Sequence, residues 1–215
     1  MLHPVSARER TNPNGDAGSR YHVVMSDIAE VLDFWFGAPE SPERGRPRKC
    51  WFAKSDAFDA EIRARFLDLH ERAAAGELSQ WESTPLAALA LALVLDQFPR
   101  NMFRGQARAF ASDALALRVA RRMAEQGFDR LLRPVERWFA YLPFEHAEDL
   151  AAQRRSLALF GGLAWDADSA GSIDYAHKHY VIIARFGRFP HRNAVLGRQS
   201  TPAEVEFLAQ PGSSF

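Results

Sequence analysis

The sequence predicts an all-α protein with about eight helices joined by antiparallel turns. Apolar residues recur at helical spacing along most of the chain. Capping residues precede these runs, and Gly or Pro follows them. The β-branched alternation that is typical of strands is missing. Because 215 residues suffice for one domain, we expect a single helical domain over residues 25–215.

The first 24 residues are expected to form a disordered leader or tail, because they are rich in Pro, Gly, Asn and Arg. Met25 is the expected true start of the protein, and the alternative is that residues 1–24 are a genuine flexible tail. Ser26 is then expected to cap the N-terminus of the first helix. The helix that follows covers residues 28–36 and stops at Gly37.

The middle of the chain contains the most apolar predicted helix. It begins at Thr84 and Pro85, a cap followed by proline at the first helical position, and we expect it to end at Pro99. A helix that is apolar on nearly all sides is usually central and buried. The other predicted helices lie after Ser55 and at residues 113–126, 134–142, 147–160, 173–186 and 205–210, with a turn at 143–146. A capping box at Thr201 and Glu204 precedes the last of them.

Composition argues against several classes of protein. The 27 basic and 27 acidic residues cancel, whereas a nucleic-acid or anionic-membrane binder would show a basic excess. A single cysteine, Cys50, excludes an internal disulfide and fits the cytoplasm. No apolar run approaches the roughly 20 residues that span a bilayer. Fingerprints of nucleotide cofactors are missing, so we expect no cofactor.

Two stretches share Phe-Pro, a basic residue, an Asn and a closing Gly: LDQFPRNMFRG at residues 95–105 and RFGRFPHRNAVLGR at residues 185–198. Taken alone, each stretch is typical of a helix C-terminus, where Arg or His side chains donate hydrogen bonds to the last carbonyls of the helix. Asp96, if buried, needs a partner such as Arg100 or Arg104. Together, the two stretches favour one anion site, since Arg forks match carboxylates and phosphates. Its expected walls are Arg100, Arg104, His179, His191 and Arg192.

A third stretch, YLPFEHAEDL at residues 141–150, places Glu145 beside His146 at a turn into a helix. A His next to carboxylates can act as an acid or a base. The alternative is structural: Glu148 and Asp149 favour a first helical turn, and His146 only caps. Both readings stay open.

A metal site is not expected, although several side chains are of metal-binding type. A di-iron bundle needs two Glu-x-x-His pairs, and only Asp174 and His177 come close. Nearby arginines would also repel a cation. The residues considered are Asp96, Glu145, His146, Asp174, His177, His179 and His191.

Several of these stretches resemble the bacterial family called domain of unknown function 924. The resemblance rests on VLDFWFG, LALVLDQFPRNMFRG, FAYLPFEHAEDL, RFGRFPHRNAVLGRQSTPAEVEFL and the terminal SSF, and runs from Ile28 to Phe215. It implies a tetratricopeptide-like fold of stacked antiparallel helix pairs, and it implies no activity. One departure is Ala147, where a Ser is expected. The family's signature residues correspond to Asp96, Gln97, Pro99, Arg100, Asn101, Arg104, Glu145, His146, Glu148, His179, His191, Arg192 and Asn193.

Two hypotheses of function follow. The first is a pocket for a small carboxylated or phosphorylated metabolite, with His146 or His179, set by Glu145 or Asp96, moving protons if there is chemistry. The second is a non-catalytic adaptor that binds a peptide or protein along a concave helical surface. A third possibility is that the polar residues form a purely structural buried network, which fixes the helix register. Enzyme activity and oligomeric state stay open. The expected binding residues are Asp96, Arg100, Asn101, Arg104, Glu148, His191, Arg192 and Asn193.

Overall fold

The computed structural model describes residues 14–213, and within them the side chains of residues 25–213. This part of the chain forms eight α-helices and six short 3-10 turns, without a strand. The all-α class and the number of helices are therefore confirmed. The helices are α1 (Asn14–Phe36), α2 (Asp56–Ala74), α3 (Pro85–Met102), α4 (Asp113–Glu125), α5 (Pro134–Glu145), α6 (Leu150–Gly161), α7 (Ala170–Phe186) and α8 (Pro202–Leu208).

The first helix is longer than expected. It begins at Asn14, so Ser26 lies inside the helix and does not cap it. Residues 1–13 of the expected leader lie outside the described residues, as do the last two residues of the terminal SSF. Gly37 ends the helix as expected, with a positive φ of 89° that an L side chain rarely adopts.

The central helix of the fold is α3, as its apolar sequence predicts. It packs against α1, α2, α4 and α5, and every residue from Ala87 to Pro99 is buried. Burial on all sides explains why the sequence shows no polar face there. None of the described helices combines the length and the apolar character that crossing a lipid bilayer requires.

The expected end of α3 at Pro99 is wrong, because the helix continues to Met102. Proline lacks the N–H that would bond the carbonyl one turn earlier, that of Leu95. The Ser112 hydroxyl supplies the missing donor, at 2.6 Å from the Leu95 oxygen. This additional turn of helix places Arg100 four residues after Asp96 on one face.

The expected turn at residues 143–146 is also displaced. α5 runs through Pro143 and ends at Glu145. The Gln153 amide of α6 then donates hydrogen bonds to the carbonyls of Glu145 and Ala147. Asp149 caps α6 by accepting from the Ala152 N–H at 2.7 Å. A short, well-bonded connection thus fixes Glu145 and His146 where α5 meets α6.

Candidate functional site

A buried carboxylate and a histidine from two different helices form the centre of the candidate site. Asp96 of α3 is 1% exposed. The Nδ1 atom of His146 lies 2.9 Å from both of its carboxylate oxygens. Gln97 donates a further hydrogen bond to Asp96, at 2.7 Å. Since a carboxylate accepts, Nδ1 carries the proton, and the Nε2 atom of His146 is left with the lone pair.

Two arginines and a second carboxylate continue from Asp96. Arg100 lies 3.3 Å from the Asp96 carboxylate and makes a two-point contact with Asp113, the first residue of α4, at 3.0 and 3.1 Å. Arg192 reaches the same Asp113 carboxylate with a single bond of 3.3 Å. We call Asp96, Arg100, Asp113, His146 and Arg192 the central cluster. It joins α3, α4, the end of α5 and the second Phe-Pro stretch.

Arg192 is the least compensated charge of the central cluster. Its side chain is 6% exposed, and its guanidinium lies between the rings of Phe110 and Phe189, at 4.6 and 4.5 Å from their centroids. Its Nε atom is buried without a hydrogen-bond partner. Burial, and then the charge of Arg100, lower the pKa of Arg192 to about 10. It stays a cation at neutral pH, in surroundings that favour an additional anion.

A second carboxylate–histidine pair lies next to His146. The Nδ1 atom of His179 on α7 lies 3.0 Å from Glu145 and 2.9 Å from the Tyr175 carbonyl. The rings of His146 and His179 are 6.0 Å apart. Both residues of the pair are buried, and the second carboxylate oxygen of Glu145 has no hydrogen-bond partner. His179 therefore points into the protein.

The turn that carries Arg192 is held by polar contacts outside the central cluster. Glu148 accepts the Phe189 N–H at 2.8 Å and both ends of the Arg198 guanidinium, at 2.6 and 2.9 Å. Arg198 also donates to the side-chain oxygen of Asn193, and the amide nitrogen of Asn193 donates to Ser200. Glu148 and Asn193 therefore position the Arg192 turn from outside the cluster.

Two of the expected binding residues lie elsewhere. Asn101 donates to Asp59 of α2 at 2.7 Å. Arg104 makes a two-point contact with the same carboxylate, at 2.7 and 2.9 Å. The contacts thus bring Asp96, Arg100, His146 and Arg192 together but tie Asn101 and Arg104 to α2. Asn101 lies inside α3, rather than at the capping or left-handed position that its residue type favours.

The protonation states of the cluster follow from burial and charge. Burial, and then Arg100, lower the pKa of His146 to about 4 despite the opposing effect of Asp96. Burial acts to raise the pKa of Asp96, but Arg100 and His146 outweigh it and hold the pKa well below its usual range. Burial, and then Arg192, lower the pKa of His191 to about 4. At neutral pH, His146 and His191 are therefore neutral, whereas Asp96 and Arg192 are charged.

Metal binding finds no support in the geometry of the described part of the chain. Within residues 14–213, no three His, Cys, Asp or Glu side chains lie close enough together to hold a metal ion. The two positive charges at Asp96 and Asp113 also disfavour a cation there.

Two surface cavities lie away from the central cluster. One, of about 620 Å³, lies between the end of α7 and α8 and is lined by Arg188 and Glu204 among others. These two side chains already bond each other at 2.7 and 2.8 Å. The other, of about 480 Å³, lies along residues 42–50. The central cluster is the stronger candidate site, because Asp96 and Arg192 are buried and Arg192 is incompletely paired.

Sequence reasoning missed Asp113 and Arg198. Asp113 was visible only as an acid in a first helical turn, a position that carboxylates favour in most helices. Arg198 closes the second Phe-Pro stretch but was not singled out. Phe110, which stacks on Arg192, carries no signal of its own in a single sequence.

Comparisons with known proteins agree with this structure. Residues 31–212 match the model of a family described as bacterial protein of unknown function (DUF924). Among curated proteins, none matches the chain at a significant level. A solved structure, that of the protein of unknown function ATU0120 from Agrobacterium tumefaciens, is 41% identical, with a TM-score of 0.76, and the match covers 86% of this chain and 98% of that one. The chain therefore belongs to the DUF924 family of bacterial proteins.

Proposed function

We propose that this protein binds a small-molecule anion, a carboxylate or a phosphate, at the central cluster, and that His146 exchanges protons with the bound molecule. The observation that carries the proposal is the state of Arg192. A guanidinium that is 6% exposed has one long bond to a carboxylate and an Nε atom without a partner.

The uneven pairing of the charges supports an anionic ligand. The two arginines and two carboxylates of the cluster cancel in charge, but Arg100 contacts both carboxylates, whereas Arg192 contacts only Asp113. Burial acts to lower the pKa of Arg100, but Asp96 and Asp113 outweigh it and raise the pKa. The pKa of Arg192 is instead lowered to about 10. An anion at Arg192 would therefore lower the cost of burying that cation.

Proton exchange by His146 follows from its bond to Asp96. A carboxylate at Nδ1 fixes the ring orientation and leaves Nε2 to accept a proton. The side chain of His146 is 12% exposed, so the ring is not sealed from water. With a pKa near 4, the free ring is neutral at pH 7. A bound anion nearby raises that pKa, because an opposite charge favours the protonated form.

The convergence of the side chains favours the pocket over the adaptor. An adaptor would leave the His, Arg and Glu side chains scattered over separate helix ends. Here His146 contacts Asp96, Arg192 contacts Asp113, and Arg100 contacts both carboxylates. The reaction that a proton-exchanging His146 would serve is open between hydrolysis and lyase-type proton transfer.

The test is to titrate the purified protein with inorganic phosphate and, separately, with malonate, and to measure the heat of binding by calorimetry. We expect saturable binding by the wild type and a loss of at least about tenfold in affinity for Arg192→Gln, since a charge-assisted, two-point contact disappears. Circular dichroism checks the fold of each variant. If Arg192→Gln does not fold, Arg192→Lys keeps the charge, and we expect it to fold and to bind more weakly, because it loses the planar fork.

Arg104→Gln is the matched control. Arg104 is also an arginine in a two-point contact with a carboxylate, but it lies on Asp59 rather than in the central cluster. Its replacement should leave phosphate affinity within about twofold of the wild type. The proposal is wrong if the wild type binds neither phosphate nor malonate, or if the folded Arg192 variant binds them as tightly as the wild type.

A further inference from the structure

Asp113 has the contacts that a bound anion would be expected to make. Its two carboxylate oxygens face Arg100 at 3.0 and 3.1 Å, and one of them faces Arg192 at 3.3 Å. Proteins commonly bind carboxylate and phosphate ligands through guanidinium groups in this way.

Asp113 is also one of the two most exposed members of the central cluster. Its side chain is 19% exposed and that of Arg100 is 20% exposed, whereas Asp96 and Arg192 are nearly inaccessible. Asp113 is therefore more accessible to an anion from solvent than Arg192 is. The bond from Asp113 to Arg192 is single and longer than the pair to Arg100, so it is the easier of the two contacts to break.

We propose that Asp113 is an internal competitor of the ligand: it occupies the anion position on Arg192 in the free protein and is displaced from it when an external carboxylate or phosphate binds. This inference rests on the proposed function and adds a residue that sets the affinity and the charge preference of the site.

The fold allows this displacement without moving a helix. Asp113 is the first residue of α4, and the preceding residue, Ser112, anchors the start of that helix through its bond to the Leu95 carbonyl. Only the Asp113 side chain needs to rotate. After it leaves Arg192, the carboxylate still lies in the first turn of α4, where the helix dipole favours a negative charge.

The competition also predicts a charge preference. With Asp113 in place, a ligand must overcome a negative charge that already contacts both arginines. A ligand with two negative charges gains more from Arg192 than a ligand with one, but Asp113 also repels it more strongly. Removal of the Asp113 charge should therefore increase the affinity for doubly charged anions more than the affinity for singly charged ones.

The experiment compares phosphate binding to the wild type, Asp113→Asn and Asp59→Asn by calorimetry. We expect Asp113→Asn to bind phosphate at least about fivefold more tightly, because the competing charge is gone while the side-chain size is kept. Asp59 is the matched control, since it also bridges an arginine but lies outside the cluster, and Asp59→Asn should bind like the wild type. Malonate, with two charges, should gain more affinity from Asp113→Asn than acetate, with one.

The outcomes separate this inference from the proposed function. If the wild type binds phosphate and Asp113→Asn binds it equally or less tightly, Asp113 does not compete and only this inference fails. If neither protein binds any of the three anions, the proposed function fails with it. Should Asp113→Asn lose its fold, Asp113→Ser is measured in its place, with the same expected gain in affinity.

Discussion

Replacing Asp96 by Ala should lower the free energy of unfolding by about 3–5 kcal/mol, as removal of one member of a buried charged group usually does. Asp96 is 1% exposed and contacts Arg100, His146 and Gln97. Its loss leaves the Arg100 cation buried beside the His146 ring without the carboxylate that offsets both. Urea unfolding at pH 7, followed by circular dichroism, measures the change.

Two further variants make this prediction specific. Asp96→Asn keeps the shape and removes the charge, so we expect a smaller loss, of about 1–3 kcal/mol. Asp68→Ala removes a carboxylate that is 88% exposed on α2 and should change the free energy of unfolding by less than about 0.5 kcal/mol. A loss under about 1 kcal/mol for Asp96→Ala would show that the cluster does not depend on this carboxylate.

The stability of the protein should fall as the pH drops from 6.5 to about 4. His146 and His191 have pKa values of about 4 in the folded protein, below the ordinary value of 6.5. A depressed histidine pKa means that the unfolded chain takes up the proton first, so stability is complete above pH 6.5 and is lost below it. His146 is surrounded by Asp96, Arg100 and His179. Its protonation lowers the free energy of unfolding by up to about 3 kcal/mol. His191 is partly exposed, so its share is smaller.

The carboxylates act in a lower pH window. The pKa values of Asp96 and Glu148 lie below the ordinary 3.8 and 4.5. Their contribution is therefore present above these ordinary values and disappears only as the pH falls further. Stability measured between pH 6.5 and 5 thus reports mainly on the histidines.

Urea unfolding of His146→Gln over the same pH range isolates the contribution of His146. The slope of stability against pH should be clearly smaller than in the wild type, because one of the described histidines whose pKa is lowered, His70, His146 and His191, is gone. His177, which is exposed on α7, is the control, and His177→Gln should keep the wild-type slope. Equal slopes in the wild type and His146→Gln would contradict the protonation state assigned to His146.

Much of the fold could be predicted from the sequence, because helix signals are local. The apolar run of α3 predicted its central place, and the capping box at Thr201 is present as expected. The two boundaries at Pro99 and Pro143 could not be predicted in this way. At Pro99, a helix passes a proline because a distant hydroxyl, that of Ser112, bonds the carbonyl that proline leaves free.

The candidate site was only partly predictable for a related reason. The basic Phe-Pro stretches indicated Arg100 and Arg192, and the burial of Asp96 required a partner. Which arginine pairs with which carboxylate depends on how α3, α4 and the turn before Arg192 meet in space. Asp113 therefore stayed hidden, and Arg104 was placed in the site although its partner is Asp59 of α2.

The most direct test of the account is an NMR titration of the His146 ring, with pH varied in the absence and in the presence of inorganic phosphate. The account predicts a neutral ring with its proton on Nδ1 at pH 7 and a pKa near 4 in the free protein. It also predicts that saturating phosphate raises this pKa and that the rise is missing in Arg192→Gln. An ordinary pKa near 6.5 in the free protein, or a His146 signal that phosphate does not move, would contradict an anion site at the central cluster.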